Sequence, residues 1–224
     1  MMMSEALKLR YNITEWERWG LNYVGIPKCG NTMFKWYLLG CPPIQNMADS
    51  NAEIHQEHRA RYITPEQANA NGYRTVALIR NPLERVFSMW RDFHGKRNGL
   101  LGQRDMNLYE FIEKVVVPSD DTENTNVHLR SMHYFIKDIK NPWLILLDDI
   151  NHQEGEELRE LFGVDKFESV NTTEHMHSDE GLENAPDTWT AIRNFEIEDM
   201  ITTRYPEDWE LYKKLKLPPS FRAC

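Results

Sequence analysis

One run of residues constrains the fold of this chain more than any other part of it. Residues 25–32 read GIPKCGNT, after an apolar stretch that begins at Leu21 and before a helix-compatible stretch that ends at Leu39. A strand, a glycine-bearing turn and a helix in this order can cradle an anion. The N–H groups of the turn and the positive end of the helix both favour negative charge. The run therefore predicts a phosphate-binding loop between a strand and a helix.

The spacing of this loop approaches a Walker A motif, in which two glycines are separated by four residues and a lysine follows the second glycine. Gly25 and Gly30 fit the spacing, but Asn31 stands where the lysine should be. The nearest lysine is Lys28, inside the loop. The displaced lysine disfavours an ATP-hydrolysing site and favours a different phosphorylated donor.

A second run, RNPLERVFSMWR over residues 80–91, follows a buried-strand pattern over residues 75–79. Pro82 stands where a helix would begin, which is a favoured position for proline. On that helix, Arg80 and Ser88 can converge on one anion through a guanidinium fork and a hydroxyl. Arg85 fits a structural ion pair and a ligand contact equally well.

With these two runs the chain resembles the sulfotransferase family, whose donor is 3′-phosphoadenosine 5′-phosphosulfate (PAPS). Residues 27–32 resemble the 5′-phosphosulfate loop of the family, and residues 80–88 resemble its 3′-phosphate motif. The resemblance implies that adenosine 3′,5′-bisphosphate is the product and that no metal is required. It also implies an α/β fold of the P-loop NTPase-like sulfotransferase type, with a parallel β-sheet flanked by helices. The implied donor-binding residues are Lys28, Cys29, Gly30, Asn31, Thr32, Arg80 and Ser88.

Sulfuryl transfer also needs two catalytic groups. Lys28 would offset the charge on the oxygen that bridges sulfur and phosphorus, and a base must take the proton of the acceptor, for which histidine suits neutral pH. His58 lies 22 residues before Arg80, an offset similar to that of the catalytic histidine in soluble members of the family. His55 and Glu57 are rival bases. A further histidine, in the Asn-Val-His segment at residues 126–128, resembles one in carbohydrate-type members, and its role stays open.

Local patterns outline the rest of the chain. The length of 224 residues, with no clear linker, predicts a single domain over residues 1–224. A capping-box pattern at residues 64–67 starts a helix that leads into the strand at 75–79, which gives βαβ order and a parallel sheet. A further strand is predicted at residues 143–147, and polar loops at 95–105 and 165–187. Further helices are predicted at residues 82–94, 107–117, 126–136, 154–162 and 188–204.

The amino-acid composition limits the kinds of partner that this chain is expected to bind. The formal net charge is −9, from 35 acidic and 26 basic residues, which argues against nucleic acid and anionic membranes. Cys29, Cys41 and Cys224 form no disulfide framework, and we see no signal peptide or apolar run of membrane-spanning length. We therefore expect a soluble cytoplasmic protein without a membrane span. Its partners would be PAPS and a carbohydrate, small-molecule or peptide acceptor.

Two alternatives remain at this point. The first is an ATP-dependent kinase or NTPase with a degenerate Walker A loop, in which Thr32 and either Asp148 or Asp149 would hold Mg²⁺. The second is a non-catalytic nucleotide-binding module. The chain also lacks the Arg-Lys-Gly segment with which soluble family members grip the 3′-phosphate. This absence leaves the contacts to the 3′-phosphate incomplete.

Overall fold

The structure is a computed structural model that describes residues 10–40, 61–93, 106–168 and 195–217. The chain forms two compact units, each assembled from two separate stretches of sequence. The first unit comprises Met1–Arg80 and Met132–Asn171, and the second comprises Asn81–Ser131 and Thr172–Cys224.

The first unit contains a five-stranded sheet in the order β3-β1-β2-β4-β5. Strands β2, β4 and β5 are parallel, as the sequence predicts. The prediction of a parallel sheet is wrong for β1, which runs antiparallel to both of its neighbours and makes the sheet mixed. The strands are β1 (Ile13–Trp16), β2 (Leu21–Val24), β3 (Arg61–Ile63), β4 (Arg74–Ile79) and β5 (Trp143–Leu146).

Helices flank this sheet, and their ends follow the predicted signals. Gln67 N donates to Thr64 Oγ1 at 3.3 Å and Thr64 N donates to Gln67 Oε1 at 2.9 Å, which confirms the capping box. Gly163 ends the helix predicted at 154–162 in the left-handed region, with φ 66°. The helices of this unit are α1 (Asn31–Leu38), α2 (Pro65–Ala70), α5 (Met132–Ile136) and α6 (Glu156–Phe162).

The second unit is helical in its described part and has its own apolar core. Its first helix, α3 (Pro82–Arg91), buries a stripe at positions 83, 86, 89 and 90, as the helical period requires. The other helices are α4 (Leu108–Phe111), which continues as a π-helical turn (Ile112–Val116), α7 (Phe195–Arg204) and α8 (Pro206–Lys216). The side chains buried in this core include Val86, Met89, Trp90, Phe93, Phe111, Ile112, Val116, Leu129, Ile197, Ile201 and Tyr205.

The helix predicted at residues 126–136 is wrong over its first half, because only Met132–Ile136 is helical. Asn126 Oδ1 instead accepts a hydrogen bond from His128 N at 3.0 Å, which closes a local turn. The buried Arg130 guanidinium donates to Thr125 O at 3.1 Å and to Glu123 O at 2.8 Å. The side chains of Asn126 and Arg130 therefore bind nearby backbone groups, and such local hydrogen bonds compete with a helix at this point of the chain.

Several predictions fall where the structure describes nothing. The loop at 95–105, most of the loop at 165–187 and the first residues of the helix at 188–204 lie outside the described residues. Within the described ranges, no helix has both the length and the apolar character needed to cross a lipid bilayer.

Candidate active site

Three segments of the first unit follow the carboxyl ends of neighbouring parallel strands. Strands β2, β4 and β5 are parallel neighbours, with Val24 beside Ala77 and Ile79 beside Leu146. Their carboxyl ends therefore lie side by side. The loop at residues 25–30, Arg80 and the 3₁₀ turn Leu147–Asp149 follow these ends. Ligands of parallel α/β sheets bind at this edge.

The loop after β2 holds two residues in the left-handed region, Lys28 with φ 67° and Gly30 with φ 72°. Position 30 favours glycine, because its φ is positive and a Cβ there would lie 2.7 Å from Leu147 Cδ1 and 3.3 Å from Leu78 Cδ1, so that these side chains would have to move. For a lysine the left-handed conformation costs about 1–2 kcal/mol. Strain of this kind is typical of ligand-binding loops, where the required shape overrides local preference.

The helix after this loop begins without a capping side chain. Its N-cap is Gly30, whereas α2 and α3 are capped by the side chains of Thr64 and Asn81. Because glycine offers no side-chain acceptor, α1 begins without a capping side chain, and the positive end of its dipole lies next to the loop. Thr32 is half-buried at the second position of the helix and is therefore not its cap.

Arg80 joins the second motif to the first. It is half-buried at the end of β4, and its Nη1 donates to Lys28 O at 3.3 Å. The guanidinium therefore reaches the middle of the loop after β2. The two motifs are about fifty residues apart in sequence, yet they meet through this hydrogen bond.

Cys29 lies under the loop rather than on its surface. Its side chain is fully buried, and the thiol Sγ donates to Met132 Sδ at 3.5 Å. Burial raises the pKa of the neighbouring Tyr23 phenol well above its usual value, and Cys29 raises it further. The thiol therefore packs inside the first unit, and only the backbone of Cys29 remains for a contact with the donor.

Comparison with models of known protein families identifies the family of this chain. A model described as the sulfotransferase family matches residues 13–214 of the chain. The chain belongs to the sulfotransferase family. Its general activity is the transfer of a sulfuryl group. Comparisons with curated proteins and with solved structures gave no match.

In this sulfotransferase, Ser88 belongs to the second unit, on α3, where it is half-buried. Arg80 is the last residue of the first unit before the chain enters the second. The convergence of Arg80 and Ser88 on one phosphate stays a prediction. The helix that carries Ser88 starts as predicted at Pro82, and Asn81 Oδ1 caps it by accepting from Leu83 N at 2.9 Å.

Arg85, which the sequence leaves open, has a structural environment. It is 1% exposed, and its Nη2 donates to His128 O at 3.1 Å and to Arg130 O at 2.6 Å. Its counter-charge is Asp208, whose Oδ2 lies 3.9 Å from Arg85 Nη1 and whose side chain is 0% exposed. The guanidinium therefore holds the turn at residues 126–131 and is buried in the second unit.

His128 sits on this turn with a fixed ring. Its Nδ1 lies 3.0 Å from Asn126 Oδ1, and the ring meets Phe93 edge-on at a centroid distance of 5.5 Å. Because an amide oxygen only accepts hydrogen bonds, the ring acts as the donor in this contact, through Nδ1. A role of His128 toward the acceptor stays open.

The candidate bases His58, His55 and Glu57 lie outside the described residues. The described ranges contain no group of three or more His, Cys, Asp or Glu side chains arranged to hold a metal ion.

One loop contact was not foreseen: Asn12 binds Gly25 through its backbone and its side chain. The only signal in the sequence was an asparagine before a short strand, a residue type enriched in the left-handed region.

The turn at residues 126–131 also gives a pH-dependent prediction through Asp121. Burial alone would raise the pKa of this carboxyl, but hydrogen bonds from Ser131 and the ion pair with Arg204 outweigh burial and lower the pKa. The folded-state pKa therefore lies below the unfolded value of about 3.9. The stabilisation that the Asp121 carboxylate gives to the fold is fully present above the unfolded-state pKa, and it is lost as the pH falls through the folded-state pKa.

We expect Asp121→Asn to lower the urea midpoint clearly at pH 6. At pH 3 the loss should be smaller, because this pH lies below the unfolded-state pKa, so that the unfolded chain already binds a proton at Asp121 and the advantage of the folded carboxylate is reduced. Urea unfolding followed by circular dichroism at both pH values measures this. An equal loss at the two values would show that the charge of Asp121 does not stabilise the fold.

Proposed function

We propose that this protein transfers a sulfuryl group from PAPS to a hydroxyl or amine of an acceptor, by in-line displacement. The observation that carries the proposal is the hydrogen bond from Arg80 to Lys28 O, which brings the second motif to the loop of the first. The family match supports the transfer of a sulfuryl group, and the two motifs support PAPS as its donor.

The proposed donor site assigns the two ends of PAPS to different elements. The loop and the uncapped start of α1 take the 5′-phosphosulfate, because both present N–H groups and positive charge. Arg80 and Ser88 take the 3′-phosphate. The family match runs through both compact units, and we propose that they act together as the single sulfotransferase domain predicted over residues 1–224.

The proposed reaction moves one group and one proton. The acceptor oxygen or nitrogen attacks sulfur, the bond between sulfur and the bridging oxygen breaks, and adenosine 3′,5′-bisphosphate leaves. Lys28 stabilises the negative charge that grows on the bridging oxygen. A base, for which His58 is the first candidate, takes the proton of the acceptor. No metal has a role in this proposal.

Donor identity is tested by nucleotide binding. We expect the protein to bind adenosine 3′,5′-bisphosphate at least about tenfold more tightly than ADP, because a charge-assisted hydrogen bond contributes about 1.5–3 kcal/mol. Isothermal titration calorimetry in the presence of EDTA gives both affinities. Equal affinities, or binding only with Mg²⁺, would instead favour the kinase or NTPase alternative.

Variants separate binding from chemistry. Arg80→Ala and Ser88→Ala should weaken affinity for adenosine 3′,5′-bisphosphate, because the 3′-phosphate does not react. Lys28→Ala should also lower turnover at saturating donor at least about tenfold, since its charge matters most in the transition state. Lys140→Ala, which replaces an exposed lysine of the first unit, is the control. Normal turnover of Lys28→Ala at saturating donor would exclude the proposed role of the ammonium.

A further inference from the structure

Strand β1 brings Asn12 to the start of the loop at residues 25–30, which is called the donor loop because the proposed function assigns it to the donor. Because β1 runs antiparallel to β2, with Ile13 opposite Val24, the residue before β1 lies beside the residue after β2. Gly25 N donates to Asn12 O at 2.9 Å, and Asn12 Nδ2 donates to Gly25 O. One residue therefore binds both main-chain polar groups of Gly25, where the loop begins.

Asn31, at the end of the loop, also lies close to Gly25. A Cβ on Gly25 would lie 2.8 Å from Asn12 Nδ2 and 2.8 Å from Asn31 Oδ1. Asn31 is the first residue of α1. The side-chain amides of Asn12 and Asn31 therefore both lie close to the α-carbon of Gly25, where a larger side chain would displace them. Within the described ranges Asn31 Oδ1 is buried and accepts no hydrogen bond, so the hydrogen bonds that hold Gly25 come from Asn12.

This arrangement is costly for a residue that lies outside the strand. Asn12 is 6% exposed and has φ 51°, in the left-handed region. Its Oδ1 has no hydrogen-bond partner within the described ranges. A left-handed backbone and a buried unpaired amide oxygen both cost free energy. The sheet itself does not require this conformation, since β1 begins only at Ile13.

We propose that Asn12 is a positioning residue for the donor loop. By holding both polar groups of Gly25, it fixes the direction in which residues 25–31 leave β2, and with it the place of Lys28 and of the start of α1. The identity of the ligand rests on the proposed function, whereas the conformation of the loop does not. Asn12 lies one residue before the family match over residues 13–214, so that match assigns it no role.

Two matched variants isolate the side chain. Asn12→Gly removes the amide while keeping a residue that accepts positive φ without strain. Asn141→Gly makes the same change at a second left-handed asparagine of the first unit, with φ 48°, which is exposed in the turn before β5. That turn lies at the opposite edge of the sheet from the donor loop, because β5 is parallel to β2 and β4.

Hydrogen exchange of the ligand-free protein directly tests the hydrogen bonds between Asn12 and Gly25, which are called the clamp. In Asn12→Gly we expect exchange of the amides of residues 25–34 to rise at least about threefold, the effect of losing one hydrogen bond. Amides of β5 should keep their wild-type rates, and Asn141→Gly should leave the loop unchanged. Wild-type loop rates in Asn12→Gly would overturn the proposal.

Nucleotide binding tests whether the clamp serves the donor. The ratio of the Kd values for adenosine 3′-phosphate and adenosine 3′,5′-bisphosphate isolates the contribution of the 5′-phosphate, which the loop would hold. We expect Asn12→Gly to lower this ratio about fivefold, and Asn12→Asp, which replaces the donor by an acceptor, to lower it at least as much. General destabilisation would leave the ratio unchanged, and an unchanged ratio would refute positioning. A wild-type ratio of one would refute the donor function instead, and the exchange rates alone would then decide the role of Asn12.

Discussion

Replacing His58 with alanine is expected to lower turnover by about 10²- to 10⁴-fold, the usual contribution of a general base. Affinity for adenosine 3′,5′-bisphosphate should stay near that of the wild type, because the base acts on the acceptor and not on the donor. Turnover of the wild type should also fall below a pH near the histidine pKa of about 6.5, where the base becomes protonated. The substitution should remove that acidic limb. Release of adenosine 3′,5′-bisphosphate with a panel of carbohydrate, phenol and peptide acceptors measures the rate.

His55 and Glu57 provide the matched controls for this prediction. If His55→Ala is inactive while His58→Ala keeps its turnover, the base is His55 and the offset from Arg80 was misleading. If both histidine variants are active and Glu57→Gln is not, the base is the carboxylate. Each of the three outcomes names a different residue, so the set of variants decides the assignment even if the first choice is wrong.

Local signals made much of the fold predictable. The strands before Arg80 and at residues 143–147, the capping box at Thr64 and the glycine stop at position 163 each depend on residues close together in sequence. The donor loop was predictable for the same reason. Its glycines, lysine and helix start lie within eight consecutive residues.

Features that depend on distant partners were not predictable. Strand β1 has only four residues, and the buried Thr14 breaks its apolar pattern because its hydroxyl donates to Tyr23 O at 3.3 Å, on the neighbouring strand. The helix predicted over the turn at residues 126–131 was wrong, because the local pattern does not show that Arg85 binds the carbonyls of His128 and Arg130. Asn12 was missed for the same reason, since its role depends on β1 lying beside β2.

Asp208→Ala is expected to lower the free energy of unfolding by about 3–5 kcal/mol, the usual cost of breaking a buried ion pair. The reason is the Arg85 guanidinium, which is 1% exposed and would lose the carboxylate that balances its charge. Arg85→Met should cost a similar amount, because it leaves the Asp208 carboxylate buried and also frees the carbonyls of His128 and Arg130. Urea unfolding followed by circular dichroism gives these values.

Burial of a second group in this region supports the same expectation. Tyr205 donates its hydroxyl to Leu129 O at 2.7 Å, and burial raises its pKa to about 12 although Arg85 and Arg204 act in the opposite direction. The phenol therefore stays protonated and keeps the hydrogen bond at any pH used for unfolding. A charge left unpaired at Arg85 consequently has little access to water and no neighbouring phenolate to balance it.

A double variant separates the ion pair from simple packing. In Arg85→Met/Asp208→Leu neither member of this ion pair is left buried without the other, so the double variant should be more stable than the sum of the two single losses predicts. Recovery should be partial, because the carbonyls of His128 and Arg130 still lack the guanidinium. Lys213→Ala removes an exposed pair with Glu210 on the same helix and should change stability little. If Asp208→Ala cost no more than Lys213→Ala, the carboxylate would not be balancing the charge of Arg85, and the second unit would owe its stability to its apolar core.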